Sequence, residues 1–121
     1  PAWAIDFTVS ASIVTATYTE PTTNADTPAT PLTDLSHTNV YYQIPGSSPV
    51  KGVNVPAVGL SSGTPAQGGG AVTTTVSVPI ATNQQADVSF WATATDRSGN
   101  ESAPSLTVVR RIDRLSPAAP R

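Results

Sequence analysis

The sequence predicts an all-β domain, on three observations. Residues 88–95 alternate, with Val88, Phe90, Ala92 and Ala94 against Ser89, Trp91, Thr93 and Thr95, so that one face is apolar and the other is not. Asp-Arg-Ser-Gly-Asn-Glu-Ser follows as a run of turn formers, and a second strand candidate spans residues 105–111, which makes a hairpin. Thr, Ser, Ala, Val and Pro fill most of the chain. No long run rich in Leu, Glu or Lys is present to build a helix.

The elements follow in order. In residues 1–10, Trp3, Ile5, Phe7 and Val9 alternate as in an extended segment with one apolar face. This segment is either the first strand or an arm that docks on a neighbouring subunit. Residues 13–19 form the next strand, with Val14, Ala16 and Tyr18 on one face and threonines on the other, and Glu20-Pro21 ends it. Residues 22–34 form a loop of Thr, Pro and Asp, where Asp26 and Asp34 are expected to make turns through side-chain hydrogen bonds rather than to hold a cation. Residues 35–44 are a strand that alternates Thr38, Val40 and Tyr42 with His37, Asn39, Tyr41 and Gln43. Residues 50–55 form a short edge strand among prolines and glycines, where a missing donor costs little. A Gly-rich loop leads to a strand over residues 71–80, with Val72, Thr74, Val76 and Val78 on one face. The strand beginning at Ser105 has an ambiguous register, because Leu106 and Val108 point one way and Val109 the other. Residues 113–121, with Pro117 and Pro120, form an extended tail.

Length and composition bound the function. At 121 residues the chain is one domain with tails: an arm or first strand over 1–10, a body over 11–112 and a tail over 113–121. The formal charge of −2 argues against a general affinity for nucleic acid. Four of the six basic residues, Arg110, Arg111, Arg114 and Arg121, cluster near the C-terminus. With no cysteine, thiolate chemistry and disulfides are excluded. No apolar run approaches a membrane span, so membrane insertion is not expected.

Nothing in the chain spells out a reaction. His37 is the one histidine, and no nucleophile elbow accompanies the many hydroxyls. Glu20 sits beside a proline turn and Glu101 in a hairpin loop, an unpromising pair for glycosidase chemistry. Asp96, Asn100 and Glu101 lack the spacing of a calcium loop and are expected to build the turn. The Gly68–Gly70 run is not followed by Lys-Ser/Thr, so no phosphate cradle is expected. No catalytic residue, metal site or cofactor is assigned, and an enzyme is not expected.

From Ile13 to about Ile112 the chain resembles a fibronectin type III domain. The resemblance rests on Tyr18 before Glu20-Pro21, on the Val40-Tyr41-Tyr42 strand, and on the Phe90 strand running into Asp96 and Gly99-Asn100-Glu101-Ser102. It implies a seven-stranded antiparallel, immunoglobulin-like β-sandwich with extended N- and C-terminal tails. The Arg-Gly-Asp tripeptide is absent, so the integrin-binding motif does not transfer. Fold alone does not supply a function.

The expected role is therefore a non-enzymatic structural or binding module. The first expectation is an accessory protein of a bacteriophage particle: a head decoration, tail adaptor or fibre-associated subunit. It rests on a small chain read as whole and without an export signal. Such a subunit would dock on other protein subunits through Trp3, Ile5 and Phe7 at one end and Arg110, Arg111 and Arg114 at the other. The alternative is a secreted bacterial module, a spacer or a carbohydrate- or surface-binding domain of a larger protein. Tyr41 and Trp91, and with them Trp3, would then present rings to surface carbohydrate, although two aromatics on a sheet also form an ordinary cross-strand pair.

Overall fold

The structure, a computed structural model, describes residues 5–58 and 67–120. The strands are β1 (Asp6–Ser10), β2 (Ile13–Thr19), β3 (Leu35–Gln43), β4 (Val50–Pro56), β5 (Ala71–Ser77), β6 (Gln85–Asp96) and β7 (Val108–Asp113). They form two antiparallel sheets, ordered β1-β2-β5 and β4-β3-β6-β7, and among the described residues there is no helix. The all-β expectation and the two-sheet packing hold.

Alternation decides which side chains meet between the sheets. Val14, Ala16 and Tyr18 of β2 and Val72 and Val76 of β5 face Val40 and Tyr42 of β3 and Val88 and Phe90 of β6. Val78 and Ile80 lie past the end of β5, yet both remain buried in this core. The Phe7 and Phe90 rings stack across the layers with centroids 5.1 Å apart. A tyrosine placed in such a core needs a partner for its hydroxyl. Tyr18 finds one across the layers in Thr38 Oγ1, at 2.6 Å. Burial pushes the Tyr18 phenol above its ordinary pKa, with the Thr38 bond opposing and the nearby Glu20 charge adding.

Two features close the sides of the sandwich. At one side the register of β3 and β4 shifts between Val40 and Tyr41, beside Gly52. A Cβ on Gly52 would lie 2.7 Å from Val76 Cγ1, so only glycine lets β4 approach β5 this closely. At the other side Arg110 Nε donates to the Phe7 carbonyl at 3.1 Å, tying β7 to β1.

The last strand begins later than its sequence suggests. Residues 102–105 run along β6, but they pair through side chains as well as backbone. The Ser102 and Ser105 amides donate to the Ala94 and Ala92 carbonyls at 2.7 and 2.8 Å. In return their hydroxyls accept the Ala94 and Ala92 amides, both at 2.9 Å. Pro104 between them has no N–H to give a ladder. Regular pairing resumes at Val108 opposite Phe90, and it places Ile112 in the core with Leu106 and Val109 exposed.

Candidate functional site

Three places could carry function: the two ends of the sandwich and the outer face of the four-stranded sheet. At the N-terminal end, Trp3 lies outside the described residues. Ile5 is partly buried against the core, and Phe7 is 2% exposed within β1. Phe7 is thus taken up by the chain's own core as part of the first strand, one of the two expectations for this segment, and its side chain is not free to dock. From Asp6 onward the segment is the first strand.

The three arginines at the other end are engaged within the domain, where the sequence suggested contacts for a neighbour. Arg110 reaches the Phe7 and Val109 carbonyls. Arg111 makes a two-pronged pair with Asp87, 2.9 and 3.0 Å, on an exposed part of the sheet. That bond holds the Asp87 carboxyl below its ordinary pKa. Arg114 Nη1 donates to the Ile80 carbonyl at 2.8 Å, while its backbone exchanges hydrogen bonds with Asn83 and Gln84. Sequence charge revealed the cluster but not these intramolecular partners.

The outer face of the four-stranded sheet gathers the remaining chemistry. Tyr41 stands opposite Trp91 in the β3–β6 register, and their rings are parallel within 7° at 5.7 Å between centroids. On the other side of Tyr41, Lys51 of β4 places Nζ 5.8 Å from the ring centroid, a cation over an aromatic face. Both aromatics are partly exposed. Beside this row runs a polar one. Asn39 Nδ2 donates to Thr93 Oγ1 at 3.1 Å and Thr95 Oγ1 at 3.3 Å, and Asn54 donates to Asn39 Oδ1 at 3.4 Å. Asn39 is fully buried although it points away from the core.

Glu101 crosses this face from the loop after β6. Its Oε2 accepts the Tyr41 and Thr93 hydroxyls, each at 2.6 Å. Those two bonds, with the smaller pull of Lys51 and His37, hold the Glu101 carboxyl below the usual glutamate range. The same contact raises the Tyr41 phenol above its ordinary value. Asp96 and Asn100 do not join this cluster. Asp96 Oδ1 accepts the Ser98 and Asn100 amides, and Oδ2 takes the Asn100 side chain, which also lowers its pKa. His37 Nδ1 sits 2.9 Å from Ser36 Oγ.

Sequence reasoning placed Tyr41 and Trp91 on this face but missed Glu101, Asn39 and Lys51 as their neighbours. It also missed Glu20, which is 2% exposed and accepts the Val58 and Gly70 amides at 2.7 and 3.1 Å. Glu20 and Asp26, whose carboxylate binds the Thr30 amide and hydroxyl, organise the loops at that end. Among the described residues no group of three or more His, Cys, Asp or Glu side chains is placed to hold a metal ion. Compared with known proteins, the chain matches no protein-family model, no curated protein and no solved structure.

Proposed function

We propose that this domain is a non-enzymatic structural module, a rigid spacer that other protein subunits engage at its two ends. The strand orders β1-β2-β5 and β4-β3-β6-β7 support a fibronectin type III-like, immunoglobulin-like topology for it. The observation that carries the reading is the path of the chain. β1 enters beside the C-terminal end of β2, with Asp6 opposite Thr17, and runs toward the Ser10–Ile13 turn. β7 leaves at the opposite end, with Asp113 opposite Gln85 and Arg114 tied to Ile80, Asn83 and Gln84. A chain that enters at one end and leaves at the other spans its domain in line. Anchoring at both places lets that span keep its length.

An accessory subunit of a bacteriophage particle is the setting proposed, whether a head decoration, a tail adaptor or a fibre-associated piece. The test is capture by proximity. Photo-crosslinking residues introduced at exposed Thr19 and exposed Ser116, one at each end, should both capture neighbouring subunits in the assembled particle. Capture from the middle of the sheets with none from the two ends would overturn the proposal.

A further inference from the structure

We propose that the outer face of the four-stranded sheet binds a neutral carbohydrate, with the Trp91 face turned away from Tyr41 as the stacking surface and Glu101, Lys51 and Asn54 as polar contacts. This goes beyond the spacer role and does not rest on it. Three observations carry it together. The first is the row itself: Lys51, Tyr41 and Trp91 lie side by side on three adjacent strands, so their spacing is set by backbone pairing and not by a loop. Aromatic faces carry negative charge density, and the C–H face of a sugar ring presents the complementary sign.

The second is the state of the polar atoms. Glu101 is fixed through Oε2 by two short bonds, while Oε1 accepts no hydrogen bond from any described residue. Lys51 Nζ has no carboxylate within ion-pair distance among the described residues, and neither has the Trp91 indole N–H a partner there. The Asn54 amide oxygen is likewise unengaged, its nitrogen being turned to Asn39. One acceptor that is already oriented, two donors and an amide oxygen around the rings are therefore without a partner among the described residues. Holding the carboxylate in place beforehand removes part of the ordering cost of binding.

The third is the charge balance, which selects the ligand. An anion is drawn by Lys51 but repelled by Glu101, and a cation meets the reverse. A neutral ligand rich in hydroxyls donates to the carboxylate and accepts from the ammonium and the indole in one pose. Lys51, Asn54 and Glu101 on this face are exposed, so an oligosaccharide running along the row fits it better than a single sugar.

The experiment is a titration of the isotope-labelled full chain, followed by NMR, with maltohexaose, mannohexaose and chitohexaose. Hexagalacturonate and a chitosan hexamer serve as the anionic and cationic counterparts. At least one neutral oligomer should bind at millimolar concentration and shift the Trp91 indole signal. Lys51→Ala and Glu101→Gln should each weaken that binding about fivefold, the size of one hydrogen bond. Lys51 is exposed, so its variant keeps the fold even where a substitution at Trp91 would not. Arg111→Ala, on the same sheet but outside the cluster, should leave binding unchanged. Failure of every neutral oligomer, binding by the charged oligomers alone, or binding indifferent to both cluster substitutions would each overturn the proposal. None of these outcomes bears on capture at the two ends.

Discussion

The two faces of strands β3 and β6 are built on opposite principles. The inner face, Val40, Tyr42, Val88 and Phe90, is held by exclusion of water, and its side chains are fully or almost fully buried. The outer face, Asn39, Tyr41, Trp91 and Thr93, is held by directed bonds and ring contacts, and a loop carboxylate ties it together. Burial alone does not separate them, since Asn39 is as inaccessible as Val40. The difference lies in what a lost atom leaves behind. On the inner face it leaves a cavity, whereas on the outer face it leaves a polar partner without its bond.

Substitutions can break that contrast, beginning with the inner face. Phe90→Ala should cost about 3–5 kcal/mol in denaturant melts, as truncation of a buried aromatic does. A loss below about 1 kcal/mol would place Phe90 outside the core and undo the contrast. On the outer face Asn39→Ala should cost about 1–3 kcal/mol, because Thr93, Thr95 and Asn54 each lose a partner. Equal costs for Asn39→Ala and Asn39→Leu would locate the loss in the bonds, whereas full recovery with Leu would show that mere filling suffices. Ser105→Ala should cost about 1 kcal/mol, and it should speed hydrogen exchange at the Ala92 amide that loses its acceptor. Unchanged exchange there would mean that the hydroxyl is not what pairs this stretch.

Two smaller effects sharpen the comparison through pH. Because the Glu101 carboxyl is lowered in the folded state, its contribution is present above the ordinary glutamate range and is lost as pH falls through the folded value. Tyr41 is raised, so its contribution is present below the ordinary tyrosine range and is lost as pH rises through the folded value. Tyr41→Phe should therefore move the Glu101 titration upward in NMR, and its effect on stability should fade in acid. A Glu101 midpoint that stays put would show that Thr93 alone holds the carboxylate. The smallest effect is expected from Arg111→Ala. Its pair with Asp87 is exposed on both sides, and the melting temperature should not change measurably.

The same contrast explains what could be read from the chain. Strand β2 and the inward set of β6 were legible, because a period of two along a strand is a local signal and the core selects for it. Tyr18 could be seen to need a hydroxyl partner, but Thr38 could not be named, since it lies on the other sheet. Glu101 was read as part of a turn because its sequence neighbours are turn formers. Its actual partners, Tyr41 and Thr93, are brought to it only by strand pairing. Ser105 looked like the start of a strand, and its hydroxyl does imitate one, but Pro104 and the serine pairing delay the regular ladder to Val108. The C-terminal arginines advertised charge, while the partners of Arg110 and Arg114 are main-chain carbonyls, which carry no signature in a sequence.

The guanidinium of Arg110 has a consequence for behaviour at high concentration. β1 and β7 are outermost strands of their sheets, and such strands offer backbone groups on which another molecule can template itself. Arg110 lays a charged, bulky group over the Phe7 carbonyl in the seam between them. It thereby occupies a backbone acceptor that the edge of β1 would otherwise offer to an incoming strand, which a short aliphatic side chain at that position could not do.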